Sequence, residues 1–331
     1  SVTNLLNGHA LSGISYTASG ADVGMYPGTF NGSFKVTDAL GNDVSSNYDM
    51  VQIPGKLTIE YKSVRVTAND LTVPYGDSIS LSAKVEGTFN SDTVSFDLTR
   101  ESGDNVGTYV ITPSGATTQG NYLVSYVKGT LTIDYRDVTI TTLNGSKTYG
   151  EVDPALFASV SGLLGSDEVD YTVTRAVGDN AGTYTIIATG EGIQGNYRVS
   201  FSNSGTFPIN KATYDMSGIH FVNKIVVYDG KEHGIVLTDA GGNPIVKLPM
   251  GLDGIRLDVQ YSEGMTNAGN IQIVATFSTT SGNYDVPVLM KATLEIQRVS
   301  LRVETHSVTK EYDGTPIVPT GKIEGMVNGE T

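Results

Sequence analysis

Few side chains in this 331-residue sequence stand at spacings that could do chemistry. Ser307-Val308-Thr309-Lys310 has the Ser-x-x-Lys form in which a lysine activates a serine nucleophile. That chemistry needs a helix plus Ser-Asp-Asn and Lys-Thr-Gly partners, whereas these four residues fall in an alternating segment that predicts a strand. Gly145-Ser146-Lys147-Thr148 resembles the end of a phosphate-binding loop, but Gly and Lys are not adjacent and no helix is predicted to follow. His9, His220, His233 and His306 are scattered, with no paired spacing such as His-x-x-x-His to hold a metal. The absence of cysteine excludes disulfides, Cys-based zinc sites and cysteine nucleophiles. The expectation is a chain that is not an enzyme, with no catalytic, cofactor-binding or metal-binding residue.

Three weaker chemistries remain to be weighed. Asp77, Glu151, Asp229 and Asp313 recur beside glycine, with Asp167-Glu168 and Asp253 as further carboxylates, and such turns near unit boundaries could bind Ca²⁺. No EF-hand or Asp-rich loop spacing accompanies them, so they read as solvated turn residues. A buried Lys–Asn crosslink would need a neighbouring carboxylate, a geometry that spacing does not reveal. Recurrent tyrosines could stack on sugars. Their regular placement argues instead that the rings pack a core and the hydroxyls cap corners.

Composition narrows the partners. Net charge is −14, from 21 basic and 35 acidic residues, a field that repels phosphate backbones and excludes nucleic acid. No stretch has the ~18 apolar residues of a membrane-spanning helix, so no membrane insertion is expected. No basic-then-apolar leader opens the sequence and no sorting motif closes it, so a surface location requires that it be part of something longer.

The elements that must position these residues emerge from an internal repeat. A Tyr-Gly or Tyr-Asp-Gly turn recurs at Tyr75-Gly76, Tyr149-Gly150, Tyr228-Asp229-Gly230 and Tyr312-Asp313-Gly314. A Gly-centred turn opens a strand at Val23-Gly24-Met25-Tyr26, Val106-Gly107-Thr108-Tyr109 and Ala181-Gly182-Thr183-Tyr184, and more weakly at Ala268-Gly269-Asn270-Ile271. Asn-Tyr then precedes a closing strand, with tyrosines at 48, 122, 197 and 284 and closing isoleucines at 59, 133, 209 and 296. The tyrosines step by 74, 75 and 87 residues and the isoleucines by 74, 76 and 87, so two landmarks share one period. The period divides the chain into a partial unit one (1–61), units two (62–135), three (136–210) and four (211–297), and a partial unit five (298–331).

Each unit reads as β. Val64-Arg65-Val66-Thr67 and Val138-Thr139-Ile140-Thr141 alternate as strands with one wet face do. Asn7-Gly8, Asn31-Gly32, Asn144-Gly145 and Asn328-Gly329 are tight-turn pairs, and 39 glycines supply positive φ for turns. Residues 162–167 predict at most one helical turn. The expected architecture is all-β: tandem, small, immunoglobulin-like sandwiches, with β-grasp-like or small-barrel units as the alternative. Connections of about three residues, such as Asp134-Tyr135-Arg136, should hold units end to end as a semi-rigid rod.

The order Tyr-Gly or Tyr-Asp-Gly, Val-Gly-Thr-Tyr, Asn-Tyr, Gly-Thr-Leu-Thr-Ile resembles the MBG and YDG-type tandem repeats of large bacterial surface proteins of the Gram-positive kind. Units two and three are similar to the Tyr-Gly-x type. Unit four and the split unit, with its Asp43-Val44-Ser45-Ser46-Asn47-Tyr48 segment, are similar to the Tyr-Asp-Gly type. Asn270-Ile271 and Lys291-Ala292-Thr293 depart from the pattern and put the local turn geometry of unit four in doubt. The resemblance implies an extracellular, cell-surface location within a larger, often cell-wall-anchored parent, and brings no catalytic residue.

The functional expectation is a structural stalk projecting other domains from the cell. The alternative is that the units bind a host glycan or protein, with the longer unit four as the suspect. Units one and five are complementary partial units: the tail breaks off at Gly325–Glu330, where the head resumes with Asn4–His9. Neighbouring chains could therefore complete a unit between them by end-to-end self-association, unless the split only marks a cut within a unit.

Overall fold

The computed structural model describes residues 2–331. Strands and turns build the described chain, and its one helical element is a single 3-10 turn at Ser45–Asn47. Unit two shows the plan. Its strands are β1 (Lys62–Ala68), β2 (Leu71–Pro74), β3 (Ala83–Glu86), β4 (Asp97–Arg100), β5 (Gly107–Ser114), β6 (Thr118–Gln119), β7 (Tyr122–Val127) and β8 (Gly129–Asp134). Alternation sets the buried face: Val64, Val66 and Ala68 point inward from β1 while Ser63 and Arg65 face water.

The strands form two four-stranded sheets, ordered β6-β7-β1-β3 and β4-β5-β8-β2. Val64, Val66, Tyr122 and Val124 fill one part of the core, and Ile111, Leu131 and Ile133 the other. Each fully buried aliphatic side chain of this kind contributes roughly 1.5–3 kcal/mol. This is the expected two-sheet sandwich, with one feature the alternation does not foretell. Each sheet contains a parallel pair, β1 with β7 and β2 with β8, beside antiparallel neighbours. The chain changes sheet twice at one place, between β1 and β2 and between β7 and β8. There the Asp70 carboxylate accepts the Thr130 N–H at 2.7 Å. Asn144 does the same for Thr206 (2.8 Å) and Asn223 for Thr293 (2.7 Å). Asn144-Gly145 is thus a sheet crossing, not a hairpin turn, because the Asn144 side chain serves a strand about sixty residues away.

Unit three repeats the plan. One sheet is ordered Ala158–Ser161, Arg136–Thr142, Tyr197–Ser202, Ile193–Gln194; the other Lys147–Thr148, Thr206–Asn210, Gly182–Thr189, Thr172–Arg175. The segment 162–167 is a β-turn closed by Asp167 N–H to the Leu164 carbonyl at 2.9 Å, not a helical turn. Unit four keeps one full sheet, Lys224–Val227, Met290–Gln297, Gly269–Ser278, Asp258–Tyr261. Its other sheet shrinks to Ala212–Thr213 with Tyr284–Asp285 plus isolated bridges such as His220–Thr238 and Met250–Arg256. The extra residues add to the core, which includes Phe221, Leu237, Leu248, Leu257 and Phe277. Gly269 has φ +153°, close to the +159° of Gly107 and Gly182, so the departure at Asn270-Ile271 leaves the turn intact.

Unit one forms three two-stranded pieces: Ala10–Ser12 with Lys35–Thr37, Ser15–Thr17 with Thr29–Asn31, and Gly24–Pro27 with Lys56–Ile59. Unit five is one pair, Arg302–Thr305 with Gly321–Glu324. The described chain gathers into two compact bodies whose division runs through unit three. One holds residues 1–138, 162–169 and 191–200; the other holds 139–161, 170–190 and 201–331. Every joint between units described below lies inside one body.

Candidate functional site

The places where different units meet carry the most regular side-chain chemistry in the molecule. Between units two and three the chain leaves β8 and enters the next strand through Tyr135 alone. Asn196, the Asn of the Asn-Tyr pair in unit three, reaches back across that joint. Its Oδ1 accepts the Val106 N–H at 2.9 Å, and its Nδ2 donates to Asn105 Oδ1 at 2.9 Å. Its own carbonyl accepts the Arg136 N–H at 3.0 Å.

The same latch recurs at two other joints. Asn121 of unit two accepts from Val23 N–H at 2.8 Å and donates to Asp22 Oδ1 at 3.0 Å. Asn283 of unit four accepts from Ala181 N–H at 2.8 Å and donates to Asn180 Oδ1 at 3.2 Å. The turns they hold are stiffened from behind by tyrosine corners. Tyr26, Tyr109 and Tyr184 donate their hydroxyls to the carbonyls of Asp22, Asn105 and Asn180 at 2.7, 2.8 and 2.9 Å.

A second contact flanks the latches of Asn196 and Asn283. The Tyr75 ring meets the Tyr197 ring edge-on, centroids 5.6 Å apart at 85°, and Tyr149 meets Tyr284 at 5.8 Å and 74°. The Tyr197 hydroxyl donates to Asp167 at 2.6 Å and accepts the Leu164 N–H at 3.2 Å. Burial, and then this carboxylate, raise the Tyr197 pKa above the ordinary tyrosine value. Beside the ring, a Cβ on Gly76 (φ +82°) would lie 2.0 Å from Leu164 Cδ1, and one on Gly150 (φ +89°) 2.4 Å from Leu252 Cδ1. The positive φ at both positions favours glycine, and any Cβ there would oblige the leucine side chain to shift. Arg136 adds bonds to Asp77 Oδ1 (2.8 Å), the Tyr75 carbonyl (3.2 Å) and the Gly162 carbonyl (3.1 Å).

Residues 64–132 and 138–208 each match the MBG domain of the YGX type. No curated protein matches the chain. Among solved structures, the I9–I11 tandem of titin matches at 13% identity and a TM-score of 0.20, covering 71% of this chain and 99% of that one. Drosophila N-cadherin EC1-4 matches at 9% identity and a TM-score of 0.20, covering 86% and 92%. The sandwich assignment rests on the sheets themselves, since likenesses at that level add nothing to it.

The landmark tyrosines of units two and three are therefore spent on corners and joints. The acidic turns are spent too: Asp77 on Arg136, Glu151 on the Thr148 N–H (2.7 Å), Asp229 on His233 (2.7 Å), Asp253 on Ser281 and Asp313 on Lys310 (2.6 Å). His233 holds the Asp229 carboxyl below its usual range. His9 meets the Tyr48 hydroxyl at 2.8 Å, and His220 and His306 lie in backbone pairings with Thr238 and Thr320. Among the described residues, no group of three or more His, Asp or Glu side chains is placed to hold a metal. Ser307 and Lys310 lie beyond the end of the strand Arg302–Thr305, correcting the strand predicted there, and Lys310 turns to Asp313. Lys147 pairs with Asp153 at 2.6 Å, and Arg175 meets the same carboxylate at 2.5 Å. These two cations lower the Asp153 pKa to about 2.

In sequence, Asn-Tyr marks only the approach to a closing strand, and the latch is not visible. The available signal was the pairing of each Asn-Tyr with an Asp/Asn-x-Gly turn in the preceding unit.

Proposed function

We propose that this chain is a spacer segment of an extracellular surface protein, in which sandwiches are fixed to one another so that the array carries other domains at a set distance. Tandem MBG-type units fit a structural repeat region of a surface protein, and folds of this kind are typically non-enzymatic. The observation that carries the reading is the latch, made by Asn121, Asn196 and Asn283 at three successive joints with the same two hydrogen bonds. A flexible string of binding modules would have no use for the same fixed joint at three successive boundaries, whereas a spacer does.

Because the chain has no cysteine, labels can be placed uniquely. Spin labels at Lys128→Cys and Glu191→Cys straddle the joint between units two and three. The expected result is one narrow distance distribution. A broad distribution in the otherwise unaltered chain overturns the spacer reading. Capture of a host glycan or protein by the same chain would reassign the units as adhesion modules.

A further inference from the structure

The first and last stretches of unit two run side by side in one register. Lys62 to Thr67 lie parallel to Tyr122 to Val127, and Leu71 to Pro74 lie parallel to Leu131 to Asp134. On both sides of the sheet crossing each residue is matched to the one sixty positions later. At the crossing itself a side chain keeps the match, since Asp70 accepts the Thr130 N–H. Backbone bonds close the two ends: Lys62 N–H to the Asn121 carbonyl at 3.0 Å, and Tyr75 N–H to the Asp134 carbonyl at 2.8 Å. Six residue pairs before the crossing and four after it thus form one seam. It joins the segment by which the chain enters the unit to the segment by which it leaves.

That register fixes how the unit meets a pull. The chain enters at Lys62, the start of one edge of the seam, and leaves at Asp134, the end of the other. Tension along the chain therefore drives the two parallel edges in opposite senses along their own length. Hydrogen bonds loaded this way share the force and must fail together, whereas bonds loaded from one end open one at a time. Val64, Val66, Leu131 and Ile133 lie on the seam and are buried, so sliding also drags close-packed core side chains past one another. Forced opening is governed by the unfolding barrier, and the seam raises that barrier for one direction of pull.

Unit four has a reduced seam. Ala212 and Thr213 lie parallel to Tyr284 and Asp285, and Lys224 to Val227 lie parallel to Leu294 to Gln297. The offset is 72 residues in the first stretch and 70 in the second, so the register changes between them. Only two pairs precede the crossing, against six in unit two.

We propose that these units are load-bearing: units two and four carry axial tension as shear along the seam between their first and last strands, and unit four yields first. This goes beyond the spacer reading and does not rest on it. Labels across a joint report its rigidity at rest, whereas pulling reports the seam, so either can fail alone.

The test is single-molecule pulling on the full chain, which has no cysteine of its own, through handles on introduced cysteines. Tyr61→Cys with Asp134→Cys loads the unit-two seam lengthwise, as tension on the chain does. Tyr61→Cys with Leu123→Cys loads it from one end, because Leu123 lies opposite Ser63 at the start of the seam. All three of these side chains are exposed, so both pairs probe the same fold. Lys211→Cys with Gln297→Cys loads unit four lengthwise. At one pulling rate, unit two should withstand a lengthwise force several-fold above that which opens it from the end. Lengthwise opening should free roughly 260 Å of extended chain, less the folded separation of the anchors. Unit four should open lengthwise at a lower force than unit two. Equal forces in the two directions on unit two overturn the proposal, and so does a unit four that withstands as much as unit two.

Discussion

The side-chain amide of Asn196 and that of Asn105 face each other across the boundary between units two and three, Nδ2 to Oδ1 at 2.9 Å, while the Asn196 Oδ1 takes the N–H of Val106. One amide thus satisfies two groups of a neighbouring unit, and Tyr109 holds the same turn from behind through the Asn105 carbonyl. A joint of this kind joins a few hydrogen bonds in fixed geometry to the neighbouring ring contact, so single side chains should influence it.

Asn196→Ala removes both bonds, each worth about 1 kcal/mol net. The amide of Val106 should then exchange hydrogen several-fold faster, while amides paired to Ile111 and Leu131 in the core of unit two keep their protection. Asn196→Asp keeps the acceptor but sets a carboxylate oxygen against Asn105 Oδ1, and it should loosen the joint as well. Unchanged exchange at Val106 in both variants would show that the latch does not hold the joint.

Gly76→Ala tests the neighbouring contact. The new Cβ would fall 2.0 Å from Leu164 Cδ1, and φ of +82° adds a backbone penalty of roughly 1–2 kcal/mol for any L side chain. Labels at residues 128 and 191 should report a broadened distance distribution. Gly120→Ala has positive φ but open space, so it carries the backbone penalty alone and serves as the control.

Tyr184→Phe deletes the corner bond to the Asn180 carbonyl and keeps the ring. The cost should be about 1 kcal/mol, read as faster exchange at Ala181, whose N–H is the one that Asn283 accepts. Unit four has Ile271 at the matching position, so its turn stands without a hydroxyl, and Ile271→Tyr should slow exchange around Ala268.

The strands were legible in the sequence because alternation is a local signal: Val64, Val66, Val138 and Ile140 announced their inward face. So were the tyrosine corners, because the Tyr recurs at a fixed distance from its Gly-centred turn. The parallel pairs were not, since β1 and β7 lie some sixty residues apart and nothing in either states which way its partner runs. Asn144-Gly145 has the composition of a hairpin turn, but its amide is used by Thr206 across the sandwich. The latch escaped for the same reason: Asn196 and Asn105 are neighbours only after two units have folded and met.

Asp153 gives the last test, at acid pH. Its carboxylate lies between Arg175 and Lys147, and those two cations depress its pKa to about 2 from an ordinary value of 3.8. A carboxyl whose folded pKa is depressed adds stability that is present above its unfolded pKa and disappears as pH falls through the folded value. The contribution should thus be complete above pH ~4 and lost by about pH 2. The carboxylate is 38% exposed, so solvent screening reduces the effect below what the full shift implies. Thermal unfolding followed from pH 5 to pH 2 should show a falling midpoint for the transition that includes unit three. Asp153→Asn should lower that midpoint at pH 5 and flatten its pH dependence, whereas an equally steep profile in the variant would place the acid sensitivity elsewhere.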